Sequence, residues 1–299
     1  MTGTKRADYP ETVAGLTADL RGGGYLADRG LATTVHVALR LHRPVLLEGE
    51  VGTGKTELAK TLAAVYGRRL IRLQCYEGID TSQAMYEWDY ARQMLYIRAL
   101  SGEALSQEGT ASPDELFGPR FLLERPLLAA IRAGDSAVLL IDEVDRADDE
   151  FEAFLLEILS DFQVTIPEIG TIRAESKPTV ILTSNRTREL HDALRRRCLY
   201  HWLGYPSAER EADIVRTRLP EASAELTRKV VAAVRRLREL ELAKPPGVAE
   251  TIDWVETLGV LGEQDLTPHG AADTLGAVIK DRDDLDMVRE GLAEIIPGA

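Results

Sequence analysis

Eight residues near the start of the chain have types and spacing that could bind a nucleotide. Gly49-Glu50-Val51-Gly52-Thr53-Gly54-Lys55-Thr56 matches the pattern GxxxxGK[ST], and it lies between an apolar run and a helical pattern that begins at Glu57. A strand followed by a helix is the context in which such a segment binds phosphates, because backbone N–H groups wrap the anion and the helix N-terminus adds positive potential. We expect Lys55 to reach the β- and γ-phosphates and the Thr56 hydroxyl to ligate Mg²⁺. The pattern therefore predicts a nucleoside triphosphate site formed by residues 49–57.

A second pair of residues supplies the groups that hydrolysis requires. The apolar run Val138–Ile141 ends in Asp142 and Glu143. We expect Asp142 to hold Mg²⁺ through its water shell and Glu143 to polarise the attacking water. The nearby Asp145, Asp148 and Asp149 are more typical of charges at a helix N-terminus. The chain has no NKxD guanine motif, and a small-molecule kinase would not need Glu143, so the pair favours ATP hydrolysis.

Two further polar sites follow downstream. Asn185 comes directly after the apolar run Val180–Leu182 and Thr183-Ser184, where its amide could contact the γ-phosphate or position the water. Asn also commonly ends strands as a turn residue, so this signal is weak alone. The cluster Arg195-Arg196-Arg197 is either a solvated basic surface or a source of a guanidinium for a neighbouring subunit's nucleotide.

The elements that must position these residues form an alternating pattern. Short, continuous apolar runs at 45–47, 70–73, 138–141 and 180–182, with a fifth near 199–203, predict parallel strands buried on both faces. Helical patterns at 55–66, 121–133 and 150–161 lie between them. This alternation predicts an α/β fold.

Three segments are expected along the chain. Residues 1–23 are polar and end at a glycine run, which indicates a flexible N-terminal arm, and residues 24–205 form the α/β core. After Pro206 the pattern changes to amphipathic helices, which predicts a small all-helical domain over 206–299. The polar stretch 101–113 is expected to be a mobile loop.

Composition excludes several classes of function. The 299 residues include 36 Lys+Arg and 49 Asp+Glu, a formal net charge of −13, which argues against non-selective capture of nucleic acid. The two cysteines are not part of a CxxC motif and the five histidines have no metal-ligand spacing. No secretory signal or run of about 18 apolar residues is visible, so we expect a cytoplasmic protein without a membrane span.

Together these residues resemble the AAA+ ATPases, and within them the MoxR family. The segment 47–56 is similar to that family's Walker A motif, Ile141-Asp142-Glu143 to its Walker B motif, and Thr183-Ser184-Asn185 to sensor 1. Details at 84–88, 187–190 and 193–197 resemble the CoxD-like branch, which is associated with carbon monoxide dehydrogenase and related molybdenum hydroxylases.

The resemblance implies a P-loop core with a five-stranded parallel sheet in the order 5-1-4-3-2 and a helical lid. It implies ATP with Mg²⁺, bound between subunits of a homo-oligomeric ring that is usually a hexamer, with Arg197 or else Arg196 as the arginine finger. Tyr25 and Leu26 lie where the family contacts adenine. The implied role is chaperone-like maturation of a client metalloenzyme, commonly with a von Willebrand factor A domain partner.

Three features of the sequence bear on the resemblance to the MoxR family: two predicted insertions and one position at which this chain departs from the family pattern. Residues 84–98 are expected to form a β-hairpin around Ala91-Arg92-Gln93, whose aromatic residues either pack on the domain or face the ring pore. Residues 164–173 predict a second hairpin. At the position where the family's lid supplies a sensor 2 arginine, this chain has Thr251.

Two other functions remain open. A nucleic-acid motor or loader would use the same motifs, although the net charge opposes it. A nucleotide-dependent scaffold that does not hydrolyse ATP would keep the phosphate loop without needing Glu143.

Overall fold

A five-stranded sheet carries the segments identified above. The computed structural model describes residues 7–103 and 116–296. In the sheet the strands lie in the order β2-β5-β8-β1-β9, counted along the chain. The strands of the structure are β1 (Val45–Gly49), β2 (Arg69–Gln74), β3 (Tyr86–Trp88), β4 (Leu122–Glu124), β5 (Ala137–Asp142), β6 (Gln163–Ile166), β7 (Gly170–Arg173), β8 (Thr179–Ser184) and β9 (Leu199–Leu203).

Helices connect these strands and form the C-terminal region. The helices are α1 (Val13–Gly22), α2 (Arg29–Leu41), α3 (Lys55–Val65), α4 (Thr81–Ala84), α5 (Tyr90–Glu103), α6 (Pro126–Ala133), α7 (Asp149–Asp161), α8 (Asp192–Arg197), α9 (Ala208–Arg218), α10 (Ala224–Glu239), α11 (Val248–Val260), α12 (Pro268–Val278), α13 (Arg282–Glu290) and α14 (Leu292–Ile295). The chain is thus an α/β protein with a helical C-terminal region.

The register of the central strands places the polar ends of the strands side by side. β2 pairs in parallel with β5, with Gln74 opposite Asp142. β5 pairs in parallel with β8, with Ile141 opposite Leu182. Every residue of β1 and β5 is buried, as the continuous apolar runs predict for strands covered on both faces.

The chain divides into two compact units, each with its own apolar core. The first comprises residues up to Leu16, Arg29–Leu47 and Leu62–His201, and the second comprises Thr17–Asp28, Glu48–Thr61 and the residues from Trp202 onward. The first core surrounds β2, β5 and β8. The second is built by helices α9 to α14 around the fully buried Trp254.

The prediction of a β-hairpin over residues 84–98 is wrong. Only Tyr86–Trp88 is a strand, and its partner is the distant Leu122–Glu124 in an antiparallel pair, so the helix expected over 121–133 begins only at Pro126. Residues 90–103 form α5 instead, because Asp89 caps it by accepting a hydrogen bond from the Arg92 N–H at 2.9 Å. Trp88 is buried and its ring meets Phe117 edge-on, which is a packing role.

The second expected hairpin is present. β6 and β7 pair antiparallel, with Ile166 opposite Gly170 across the turn. It directly precedes β8, the strand that leads to Asn185.

The N-terminal range also differs from the expected flexible arm. Within the described part of residues 1–23, α1 spans Val13–Gly22, and its Leu16 and Leu20 are fully buried. Tyr9 precedes the helix and hydrogen-bonds Thr179 Oγ1 at 2.7 Å, while its ring meets Tyr66 edge-on. Because apolar residues spaced four apart lie on one face of a helix, Leu16 and Leu20 can be buried together, and this explains why the segment is ordered.

Two remaining expectations concern loops and membranes. The mobile loop expected at 101–113 lies, beyond residue 103, outside the described residues. Within the described ranges, no helix combines the length and apolar character that crossing a membrane requires.

Candidate functional site

The phosphate loop (residues 49–56) joins β1 to α3 and adopts a conformation that requires glycine. Gly52 and Gly54 have φ of +73° and +90°, the left-handed region that side chains disfavour. At Gly49, a Cβ would lie 1.9 Å from the Leu203 carbonyl oxygen, so only glycine permits that approach. The three glycines of the motif are therefore needed for the shape of the loop itself.

Lys55 is buried within this loop and contacts its backbone. Its Nζ donates hydrogen bonds to the carbonyl oxygens of Gly49 at 2.8 Å and Glu50 at 2.7 Å. The side chain of Lys55 is at the first turn of α3, so its ammonium lies next to the helix N-terminus. Thr53 Oγ1 donates to the Glu50 carbonyl at 2.8 Å, while Val51 at the tip is exposed. The loop thus concentrates positive charge where an anion would bind.

Two residues predicted to contact adenine, Tyr25 and Leu26, have different surroundings. The Tyr25 ring contacts Gly54, since a Cβ there would be 3.7 Å from Tyr25 Cε2. Burial raises the pKa of the Tyr25 hydroxyl, and neighbouring Asp28 adds to the effect. Leu26 is half-buried, and its carbonyl accepts a hydrogen bond from Arg210 at 2.6 Å.

Glu57 has partners of its own in α3 and α9. Arg218 Nη2 donates to Glu57 Oε1 at 2.6 Å, and Lys60 lies 3.3 Å away. Partial burial raises the pKa of Glu57, but hydrogen bonds and charge from Arg218 and Lys60 outweigh it and the pKa is lowered. Its carboxylate is therefore committed to an ion pair.

A second set of predicted residues meets at the ends of β5 and β8. Asp142 is buried, and its Oδ1 accepts a hydrogen bond from Thr183 Oγ1 at 2.5 Å. Its Oδ2 accepts from Arg72 Nε at 3.0 Å and Nη2 at 2.5 Å, an ion pair with a half-exposed arginine. Thr183 Oγ1 also accepts from the Glu143 N–H at 2.9 Å, which fixes the two acidic residues relative to one strand.

Glu143 receives contacts from three side chains. Gln74 donates to Oε2 at 3.0 Å, Arg146 lies 3.0 Å from the same oxygen, and Asn185 Nδ2 donates to Oε1 at 3.4 Å. The backbone of Glu143 has φ +55° and ψ +50°, a left-handed conformation that is strained for glutamate. Strain of this kind concentrates at functional sites.

Asp145 organises the segment that carries Asn185. It is buried, and its Oδ2 accepts hydrogen bonds from the Asn185 N–H at 3.2 Å and from the Thr187 N–H and hydroxyl at 2.8 Å each. This differs from the helix-terminal charge that the sequence indicated for Asp145. Asp148 does have that role, because it caps α7 through the Phe151 N–H.

The arginine cluster lies at the end of α8 and each member has a local contact. Arg197 donates to the Leu156 carbonyl, and Arg195 lies over the Tyr200 ring. Arg196 has a side chain that is 83% exposed and lies 3.7 Å from Asp192. Arg43 stabilises the end of α8 by donating hydrogen bonds to the backbone carbonyls of Arg196 and Arg197. Arg196 is therefore a largely exposed member of the cluster, whereas Arg197 is held by a backbone carbonyl.

Thr251 lies in α11 and is fully buried in a polar network. Its Oγ1 donates to Glu211 Oε1 at 2.6 Å, and Arg238 pairs with the same carboxylate through two hydrogen bonds of 2.7 Å. The residue is thus structural in this chain, consistent with the absence of a charged side chain at that position.

Four residues of the second cluster were not predicted from the sequence to have a role in the site: Arg72, Gln74, Asp145 and Thr183. Gln74 was detectable as the polar residue that ends the predicted strand 70–73, just as Asn185 ends its own. Thr183 lay inside the segment already singled out. Arg72 gave no signal in the sequence, and Asp145 indicated only a helix-terminal charge, because their roles depend on strand pairing and on a buried turn.

A phosphate loop in one unit and an acidic cluster at strand ends in the other are the two features typical of P-loop nucleotide hydrolases. Residues 44–198, more than half of the chain, match the AAA domain family, dynein-related subfamily. The chain therefore belongs to this family. Membership of this family implies ATP as the nucleotide, with Mg²⁺ as its usual partner.

Individual relatives are distant. Midasin from Giardia intestinalis is 27% identical over 133 residues, which are 44% of this chain and 2% of midasin. An uncharacterized protein from Staphylococcus haemolyticus is 24% identical over 197 residues, 64% of this chain and 66% of the relative. The chain thus spans a small part of midasin and about two thirds of the staphylococcal protein.

The similarity to solved structures concerns the fold. A RuvB variant from Thermotoga maritima has a TM-score of 0.50 and 16% identity, covering 96% of this chain and 80% of that one. At this identity the match supports a P-loop AAA fold with a helical C-terminal region and carries no further functional conclusion.

The residues present fit ATP and Mg²⁺. Gly49 and Gly52 leave no room for a Cβ, and Gly52 and Gly54 have positive φ, so the loop is a glycine-rich backbone of the kind whose N–H groups bind a triphosphate. The Thr56 hydroxyl and the Asp142 carboxylate are hard oxygen groups, the chemical type that Mg²⁺ prefers.

Proposed function

We propose that this chain is an ATP-driven remodelling factor in which Glu143 is the catalytic base. The observation that carries the proposal is the carboxylate of Glu143, which three side chains orient at the end of a buried strand. Gly49–Thr56 binds the triphosphate, with Lys55 on its β- and γ-phosphates, and Glu57, Tyr25 and Leu26 border the nucleotide. Asn185 positions the attacking water for Glu143.

Thr56 and Asp142 would hold the metal ion in this proposal. When bound, Mg²⁺ supplies neutralising charge at the phosphate oxygens. Arg72 then exchanges part of its ion pair with Asp142 for solvent, which is feasible because the arginine side chain is half exposed. The protein's own groups thus provide two oxygen ligands, one base and one amide.

The variant Glu143→Gln tests this assignment. An amide cannot accept the proton of the attacking water, so kcat should fall by about 10² to 10⁴ while ATP binding persists. Single-turnover hydrolysis and titration with a fluorescent ATP analogue measure the two quantities separately. Glu150→Gln, which removes an exposed carboxylate from the first turn of α7, is the matched control. Equal hydrolysis by wild type and Glu143→Gln would show that Glu143 is not the catalytic base, whereas ATP binding without hydrolysis by the wild type would assign the chain to a nucleotide-dependent scaffold.

We further propose that the active form is a homo-oligomeric ring, a hexamer, with ATP between subunits. Residues 24–205 are then the ATPase core and residues 206–299 the lid. Arg197, or else Arg196, acts on the nucleotide of the neighbouring subunit. The high exposure of Arg196 supports its availability, whereas Arg197 must exchange its contact with the Leu156 carbonyl.

The proposed client is a metalloenzyme of the molybdenum hydroxylase class, such as carbon monoxide dehydrogenase, matured together with a von Willebrand factor A domain partner. The sequence resemblance to the CoxD-like branch of MoxR proteins motivates it. Exposed apolar side chains on α5 are compatible with a protein client: Tyr90, Met94 and Leu95 are 62%, 54% and 66% exposed.

A comparison of two stimulants tests the client class. The apo form of a molybdenum hydroxylase, with its von Willebrand factor A partner, should raise the ATPase rate, whereas single- or double-stranded DNA should not. The alternative, a nucleic-acid motor or loader, gains support if DNA alone raises the rate. The structure gives that alternative little basis, since Arg188 pairs with Glu152 and Asp149 and Arg195 stacks on Tyr200.

A further inference from the structure

We propose that residues 246–250, the segment that begins α11, position the phosphate loop by binding the Gly52 carbonyl, and so couple the C-terminal helices to nucleotide without a basic side chain. The proposal rests on the proposed nucleotide site at Gly49–Thr56. It makes Gly247 and Glu250 positioning residues of that site.

The first evidence is a pair of hydrogen bonds between two backbones. The N–H groups of Val248 and Ala249 donate to the Gly52 carbonyl oxygen at 3.0 Å and 3.3 Å. The first N–H groups of a helix lack acceptors within the helix. Here the phosphate loop supplies that acceptor, so the N-terminus of α11 is capped by the loop.

Glu250 completes the cap from within the segment. Its Oε2 accepts a hydrogen bond from the Gly247 N–H at 2.9 Å. The same oxygen would be 2.9 Å from a Cβ built on Gly52, so the carboxylate lies against the loop. The side chain of Glu250 therefore fixes the turn that presents Val248 and Ala249 to Gly52.

The segment 246–250 approaches the phosphate loop so closely that position 247 must be glycine. The reason is the lack of space for a Cβ and not the backbone conformation. Its φ and ψ of −84° and −172° are open to any residue. A Cβ at this position, however, would lie 2.6 Å from the Val51 carbonyl oxygen and 2.7 Å from Gly52 Cα. Both contacts are with the backbone of the phosphate loop, which cannot rotate away as a side chain could.

A buried ion pair fixes the start of the segment. Arg238 Nε donates to the Pro246 carbonyl at 2.7 Å, and its two terminal nitrogens donate to Glu211. The side chains of Arg238 and Glu211 are 8% and 0% exposed, and the guanidinium lies 4.2 Å from the Tyr205 ring centre. Thr251 donates to the same Glu211, so α9, α10 and α11 meet directly behind Gly247.

The consequence for nucleotide follows from peptide geometry. In a planar trans peptide the carbonyl and the following N–H point in opposite directions. Binding the Gly52 carbonyl therefore aims the Thr53 N–H away from α11, as a fixed donor of the loop. Without that contact the peptide unit between Gly52 and Thr53 can rotate. The Thr53 N–H is then no longer preorganised to bind phosphate.

The variant Gly247→Ala tests the proposal. We expect the Kd for a fluorescent ATP analogue to rise about tenfold or more while kcat at saturating ATP changes little, because Glu143 is untouched. Gly259→Ala is the matched control, since it lies in the same helix and a Cβ there meets nothing within 4 Å. A Gly247→Ala protein that binds the analogue as tightly as Gly259→Ala would overturn the proposal.

A second pair of variants decides the matter if Gly247→Ala does not fold. Glu250→Gln keeps an oxygen that accepts from the Gly247 N–H, and Glu250→Ala does not. We expect the Kd to rise for Glu250→Ala and to stay within about twofold of wild type for Glu250→Gln. Equal Kd values for Glu250→Ala and wild type would refute the positioning role.

Hydrogen exchange gives a readout that a general loss of stability does not reproduce. The Val248 and Ala249 amides should exchange faster in Gly247→Ala, while the rest of α11 keeps wild-type rates. Unchanged exchange at both amides would contradict the proposal. Failure of the proposed function looks different, because wild-type protein would then not bind the analogue at all.

Discussion

At the scale of single residues, Glu143 shows how much of the fold is devoted to one carboxylate. Three side chains contact it, and its left-handed backbone costs about 1–3 kcal/mol of strain. Asp142 is fixed through the shared Thr183 hydroxyl. The two acidic residues therefore keep their relative orientation, which is what separate roles in metal binding and proton transfer require.

The cysteines provide a prediction at the same scale. Burial raises the pKa of the Cys198 thiol to about 12, against the opposing charge of Arg43, and burial with the charge of Asp142 raises the pKa of Cys75 to about 12. A raised pKa keeps the thiol neutral, so the thiolate fraction at pH 8 is about one in ten thousand. We expect no alkylation by iodoacetamide in the folded protein and complete alkylation in urea.

The pH dependence of stability provides a control for the alkylation experiment. Between about pH 9 and pH 12 the unfolded thiol is ionised and the folded one is not, so the stability that the neutral thiol provides is lost as pH rises through this window. Reactivity of either cysteine at pH 8 in folded protein would show that its burial is not permanent.

The residues of the site differ in how visible they are in the sequence. Asp142 follows an apolar run directly, and Gly49–Thr56 and Asn185 begin within three residues of one, so local pattern alone predicts their place at strand ends. Arg72 and Asp145 reach the site only through the pairing of β2 with β5 and through a buried turn. Local sequence does not specify either contact, since both join segments far apart in the chain.

At the scale of elements, residues 84–103 show the same limit. Tyr86, Trp88 and Tyr90 alternate, which indicates a strand, and the strand exists at Tyr86–Trp88. Its partner is more than 30 residues away, however, so the turn expected at Ala91–Gln93 is instead the start of a helix capped by Asp89. Alternation predicts that a strand forms and not which strand it pairs with.

The cap of α7 provides a prediction for an element. Asp148 Oδ1 accepts from the Phe151 N–H at 2.8 Å, so Asp148→Ala should lower the free energy of unfolding by about 1 kcal/mol in urea denaturation. Glu150→Ala, an exposed change in the same turn, should cost less than about 0.5 kcal/mol. Equal costs would show that charge near the helix terminus, and not the cap, is responsible.

At the scale of the whole molecule, the proposed ring predicts complementation between inactive subunits. Arg197→Ala should reduce kcat by about 10³-fold with little change in ATP binding, and Glu143→Gln is inactive through its own site. Mixed, the two variants form interfaces that contain both an intact Glu143 and an intact arginine. We expect hydrolysis to return in the mixture, and Arg196→Ala in place of Arg197→Ala shows which arginine acts.

The control replaces the arginine variant with Lys55→Ala. Lys55 and Glu143 belong to the same subunit's site in our assignment, so every site in that mixture keeps one defect and activity should stay absent. Recovery with Lys55→Ala would indicate exchange of active material and not action between subunits. No recovery with either arginine variant would remove the arginine finger from the proposal.

The ordered N-terminal residues also affect how the protein should be produced. Composition alone would recommend starting an expressed chain at Gly24, beyond a polar stretch that ends in glycines. Such a truncation would delete Leu16 and Leu20, both fully buried, and the Tyr9 hydroxyl that bonds Thr179. The shortened chain would expose apolar surface at two places at once, and we expect it to accumulate in inclusion bodies.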